Sequence, residues 1–170
     1  LFPYTTLFRS VTYTSPSMSG FTAAVQYGAL ESKGTDDTYA AQVNYVAGPL
    51  SVGGTYTKAD QSRVWQLGVS YDFGVLKAFG QYGVYDYVNS DLSYKFYQLG
   101  ASVPVGANGA VLASFGSGKE SGYRDRQFSL AYDHSLSKRT GVYAGALYDY
   151  QKTGNSDSGT TYAVGLRHAF

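Results

Sequence analysis

The chain has 170 residues, 44% of them hydrophobic, and its 13 Lys and Arg against 12 Asp and Glu leave a formal net charge of +1. That balance exerts no global pull on nucleic acid, and the lack of cysteine excludes a disulfide scaffold and a cysteine-based zinc site. Tyr 18 and Gly 21 stand out beside Pro 4, and no stretch approaches the ~20 apolar residues of a membrane helix, which leaves a membrane β-barrel open.

Residues 1–10, LFPYTTLFRS, do not alternate cleanly and lack the charged start and apolar core of a secretory signal. They read as a non-native or truncation scar, set apart from a β domain over 11–170. Residues 11–14 are the stub of a first strand, closed by a turn at 15–20. From Phe21 onward bulky and small or polar residues alternate, the period of a strand. Phe21, Ala23, Val25 and Tyr27 share one face; after a polar loop at 29–37, so do Tyr39, Ala41, Val43 and Tyr45, opposite Gln42 and Asn44. Gly48-Pro49 turns the chain into Leu50, Val52, Gly54 and Tyr56, and residues 58–63 are polar. Trp65, Leu67, Val69 and Tyr71 then oppose Gln66, Ser70 and Asp72.

A turn at Phe73-Gly74 leads to Leu76, Ala78, Gly80, Tyr82 and Val84, backed by Lys77 and Gln81, with Phe79 blurring the pattern. Beyond a polar loop at 86–93, Tyr97, Leu99, Ala101 and Val103 oppose Gln98 and Ser102. Residues 110–115 and 141–150 read as strands without a clear facing. Between them, Phe128, Leu130 and Tyr132 oppose Gln127 and Asp133, and residues 116–125 and 151–159 read as polar connections. The last strand puts Tyr162, Val164, Leu166, His168 and Phe170 on one face and Arg167 among small residues on the other.

The sum is one partial strand and ten full ones, with no helix. Compact turns near Pro16, Pro49, Gly74, Pro104 and Lys138 alternate with polar connections near Lys33, Asp60, Asn89, Lys119 and Asn155. Such a pattern fits an all-β, antiparallel up-and-down transmembrane barrel, with the compact turns at the periplasmic end. Lys77, Arg167, Gln42, Asn44, Gln66, Ser70, Asp72, Gln81, Gln98, Ser102, Gln127 and Asp133 would then line the lumen. A charge within a spanning strand must avoid lipid, where Lys or Arg costs about 2–4 kcal/mol at the midplane. His134 lies between Asp133 and Ser135, but neighbours on a strand point to opposite faces and form no triad. Gly116-Ser117-Gly118-Lys119 lacks the spacing of a phosphate loop. The residues thus call for no catalytic group, metal or cofactor. A non-channel outer-membrane barrel (an adhesin or a lipid-modifying enzyme) and a soluble all-β binding module stay open as alternatives.

Three motifs carry a family resemblance, and Gly100 to Gly106 also fits it. Tyr13 to Phe21 resembles a YxSPxxxGF hairpin, Leu136 to Tyr143 an LSKRTxxY turn, and Gly165 to Phe170 a GLRHxF ending. Together they resemble the general porins of Gram-negative bacteria, of the beta- and gammaproteobacterial type. The resemblance implies passive diffusion of ions and small hydrophilic solutes through a trimeric barrel of roughly sixteen strands. In that frame the chain would be the C-terminal ten or eleven strands, after the inward-folded constriction loop. Outer-membrane lipids and the barrel-assembly machinery would be its partners, with no nucleic acid. Phe170, Leu166, Val164 and Tyr162 would form the assembly signal of the chain end.

Overall fold

In the computed structural model, which describes residues 10–29, 37–59 and 61–169, the chain forms one eleven-stranded sheet with its strands in sequence order. The strands are β1 (Ser10–Thr14), β2 (Phe21–Gly28), β3 (Thr38–Ala47), β4 (Leu50–Ala59), β5 (Ser62–Asp72), β6 (Lys77–Tyr87), β7 (Ser93–Val105), β8 (Gly109–Glu120), β9 (Tyr123–Ser135), β10 (Thr140–Thr153) and β11 (Asn155–His168). Each pairs antiparallel with the next, as the up-and-down order requires. Among the described residues β1 pairs only with β2 and β11 only with β10, and there is no helix.

Three of the polar connections differ from expectation. Residues 116–125 and 151–159 are strand for most of their length, turning only at Ser121-Gly122 and Gly154, and β4 runs on to Ala59 with β5 resuming at Ser62. Polar residues can continue a ladder wherever water bathes both faces, because the backbone bonds are the same and alternation no longer matters. Gly122 and Gly154 sit at φ +76° and +75°, the left-handed region a tight hairpin needs. As a result β9, β10 and β11 reach 13, 14 and 14 residues, beyond the ~9–11 that a tilted strand needs to cross a bilayer.

The sheet has no second layer. Val84, 6% exposed, is the one buried hydrophobic side chain among the described residues, while Tyr162 and Val164 are 79% and 83% exposed. A water-soluble sandwich would cover such a face, so this exposure argues against the soluble alternative. The apolar face is studded with aromatic pairs toward both strand ends. Phe21–Tyr45 lies near one end and Tyr27–Tyr39 near the other, with Trp65–Tyr82 and Tyr97–Phe115 closer to mid-strand. Rings with apolar bodies and polar tips suit the two oil–water boundaries of a bilayer.

The abundance of Gly and Tyr has a local reason as well. On the opposite face, the far ends of aromatic rings reach over glycines of the neighbouring strand. A Cβ on Gly165 would collide with the Tyr143 ring, one on Gly83 with Phe96, and one on Gly118 with the Tyr94 phenol. Each ring covers backbone that glycine leaves bare, the arrangement by which aromatics compensate glycine in a sheet.

Candidate functional site

Strand register decides which side chains share a face, since pairing partners point the same way. Following it from β3 to β11 puts all twelve of the expected lining residues on one face. Gln42 and Gln66 are linked through Thr55, while Asn44 is linked to Gln81, Gln98 and Gln127 through Gly53, Gly68 and Gly116. Asp72 pairs with Lys77 and Lys77 with Ser102, and Ser70 stands opposite Phe79. Asp133 and Arg167 join the same face through β10, via Tyr143 and Gly141.

This face is the concave one. Side chains from β3 through β8, among them Asn44, Ser70, Gln81, Gln98 and Ser114, line a single hollow of about 580 Å³. A flat sheet could not bring strands so far apart around one space. Within it the amide and hydroxyl groups form a chain across four strands. Gln81 Nε2 donates to Gln98 Oε1 at 2.9 Å, Gln98 Nε2 donates to Ser114 Oγ at 3.3 Å, and Ser114 and Ser129 share a hydroxyl bond of 2.7 Å. Nearer the Gly122 turn the Tyr94 hydroxyl donates to Asp125 Oδ1 at 2.8 Å.

Four charged residues of this face are tethered. Arg167 Nη2 lies 3.3 Å from Asp133 Oδ2. Lys77 Nζ sits 5.4 Å from the centroid of the Phe79 ring, a cation–π contact. The carboxylate of Asp72 accepts the Gly74 N–H at 2.8 Å, so it also caps a turn. Phe79 belongs to this face by register, which explains why it blurred the alternation. Sequence reading missed Ser114, because residues 110–115 read Ala-Val-Leu-Ala-Ser-Phe without a clear parity. Register shows Leu112 and Ser114 concave, with Val111, Ala113 and Phe115 outward; on β10 it places Gly141, Tyr143, Gly145, Leu147 and Asp149 concave.

Tyr162, Val164 and Leu166 lie together on the outer face of β11, while Phe170 falls outside the described residues. His134 faces outward, its Nδ1 3.0 Å from the Tyr132 hydroxyl, whereas Asp133 and Ser135 face the hollow. The triad residue types therefore do not converge. His168 is also outward, Nδ1 2.9 Å from Thr140 Oγ1. Among the described residues no three metal-ligating side chains come together.

A model of the Gram-negative porin family matches residues 5–167. The chain is 31% identical to outer membrane porin protein 32 of Delftia acidovorans, over 94% of this chain and 56% of that protein. It is 28% identical to an outer membrane porin protein of Bordetella pertussis, over 94% of this chain and 57% of that one. The chain thus spans little more than half the length of these curated relatives. Its fold superposes on an anion-selective porin from Comamonas acidovorans with a TM-score of 0.84 at 27% identity, covering 95% of this chain and 59% of the porin. A Salmonella typhi OmpF structure shares the fold at a TM-score of 0.70 and 12% identity, covering 93% and 61%. The alternating faces, the uncovered apolar side and the family match agree: the chain belongs to the Gram-negative porin family, and its strands are those of an outer-membrane β-barrel.

Proposed function

We propose that the concave face is part of the wall of a water-filled channel through which ions and small hydrophilic solutes diffuse passively. The observation that carries this reading is the Gln81–Gln98–Ser114–Ser129 chain of hydrogen bonds along the hollow of the concave face. A plugged barrel would close that space with bulky side chains, whereas here glycines 53, 68, 100 and 116 hold it open. The wall acts by width and charge and performs no bond chemistry, so the protein is not an enzyme. Lys77 and Arg167 supply its positive charge, Asp72 and Asp133 the negative charge beside them, and the eight polar residues from Gln42 to Gln127 wet the surface between.

The wall closes only when both edges of the sheet are paired. An edge left in lipid would strand unpaired backbone groups at several kcal/mol each, and eleven strands with small interior side chains would enclose voids rather than a pore. The conducting unit in this proposal is the complete barrel of roughly sixteen strands, set in outer-membrane lipid by the assembly machinery as a homotrimer. A Vibrio cholerae outer membrane protein of the same fold is known in a trimer form.

The test is planar-bilayer recording of the complete barrel with Lys77→Glu and Arg167→Glu. The expected result is a reversal potential displaced toward cations, with residues 10–169 alone giving no uniform conductance steps. Unchanged selectivity and conductance in both charge reversals would remove these residues from the channel wall.

A further inference from the structure

Beside the large hollow, toward the Gly122 turn, the concave face holds a second one of about 390 Å³ with a different lining. Tyr94, Phe96 and Gln98 of β7, Asp125 and Gln127 of β9 and Leu147 of β10 surround it, and register puts all six on the concave face. Gln81, Gln98 and Ser114 border both spaces, so the two adjoin. The volume lies within the range of about 300–1,000 Å³ usual for small-molecule sites, which join apolar surface to a few placed polar groups.

Two rings and one carboxylate set its chemistry. The Tyr94 and Phe96 rings have centroids 5.8 Å apart and planes 26° from parallel, so together they offer one broad aromatic surface. The far end of Tyr94 reaches over Gly118 to β9, where its hydroxyl donates to Asp125 Oδ1 at 2.8 Å. That bond holds the carboxylate beside the rings. Asp125 is half-buried, and its Oδ2 accepts no hydrogen bond and meets no cation among the described residues.

No base of the chain stands nearby on this face. Among the described residues the concave side of the strands carries two cations, Lys77 and Arg167, both toward the compact turns. Lys77 is four residues from Gln81, about 13 Å along β6, and Arg167 is already paired with Asp133. Glu120, Asp149 and Asp157 share the face and the end of the sheet with Asp125. An anionic solute is therefore repelled here, while a cation is attracted both by the carboxylate and by the ring faces.

We infer that the Tyr94–Phe96–Asp125 hollow is a binding site for flat organic cations, solutes that carry an amidinium or guanidinium group on an apolar frame. The planar N–H groups of such a cation donate to Asp125, whose two oxygens have room for more than the Tyr94 hydroxyl. Its frame lies against the Phe96 and Tyr94 rings, and the Gln98 and Gln127 amides accept at the rim. The inference rests on reading the concave face as lumen. Within that reading, the wall detains one class of solute on its way through.

The experiment uses the complete barrel in an uncharged detergent, titrated by calorimetry with benzamidine, benzamide and benzoate. These share a ring and nearly a shape, and differ in being cationic, neutral and anionic. Benzamidine should bind roughly tenfold or more tighter than benzamide, as hydrogen bonds to a charged group contribute, and benzoate should not bind. Asp125→Asn, which keeps an acceptor for the Tyr94 hydroxyl, should abolish the preference for the cation. Phe96→Leu should weaken benzamidine and benzamide alike, by roughly three- to tenfold. Arg124→Gln, on the outer face, should bind benzamidine as the wild type does. Equal binding of benzamide, binding of benzoate as tight as that of benzamidine, or an unchanged preference in Asp125→Asn would each overturn the site. Planar-bilayer recording separates this failure from that of the channel reading. A barrel that conducts yet is never interrupted by benzamidine overturns the site alone, whereas a complete barrel that does not conduct removes the channel and the site with it.

Discussion

Arg167 of β11 and Asp133 of β9 are bridged across an intervening strand. Nη2 of the arginine reaches both carboxylate oxygens, at 3.3 and 3.4 Å, by passing over Gly141 of β10. That glycine lies directly opposite Arg167, and a Cβ there would stand 3.5 Å from the guanidinium. Arg167 is 67% exposed, so the pair holds its charge in place more than it holds the fold together.

Asp133→Asn should therefore separate selectivity from stability. Freed of its partner, Arg167 presents its whole charge to solutes, and zero-current potentials of the complete barrel should move toward anions. The heat-modifiable folded state should change by less than about 1 kcal/mol, as for other exposed ion pairs. A large loss of stability with no shift in potential would make the pair a structural tie.

Cysteine scanning of β11 tests the two faces residue by residue. Cysteines at Arg167 and, on β6, at Lys77 should react with a membrane-impermeant thiol reagent, and one at Val164 should be protected. Val164→Arg should lower stability by about 2–4 kcal/mol if the residue sits near the bilayer midplane. Labelling at 164 with protection at both 77 and 167 would turn the sheet inside out.

Gly165→Ala probes the aromatic cover. The added methyl meets the far end of the Tyr143 side chain rather than backbone, so the ring can swing away. The expected outcome is a modest loss of about 1–3 kcal/mol, in the range of overpacking, with lower single-channel conductance as the ring enters the lumen. The double variant Gly165→Ala with Tyr143→Ala should recover conductance. If conductance stays low without the ring, Tyr143 is not the obstruction.

Removal of Phe170 should reduce recovery of folded protein from the outer membrane without reducing synthesis. Tyr162, Val164 and Leu166 already form an exposed apolar stripe on the last strand, and Phe170 continues its parity. Equal, heat-modifiable recovery with and without the residue would rule out a part in assembly.

Parity made most of this fold legible. Wherever bulky and small residues alternated, as in Tyr39–Tyr45 and Trp65–Asp72, facing followed from period two alone. It failed where both faces carry apolar side chains: Leu112 and Phe115 are on opposite faces, as are Leu147 and Tyr148. The long strands were hidden for the converse reason. Residues 116–125 and 151–159 are polar on both sides, which reads as loop, although Ser121-Gly122 and Gly154 carried the hairpin signal. Ser114 escaped notice as part of the wall because its neighbours offered no contrast.

A sheet that buries a single hydrophobic side chain among its described residues changes what heredity can preserve in it. In a layered domain each interior residue is held by the shape of those opposite, so neighbours must change together. Here most outward positions need only be apolar and most inward ones only small or polar, tied positions such as Arg167 and Asp133 apart. Substitutions that respect that binary choice accumulate almost independently. The same fold can then recur at a TM-score of 0.70 with 12% identity. What lineages of this chain inherit is the rhythm of the strand, together with the few glycines on which rings rest.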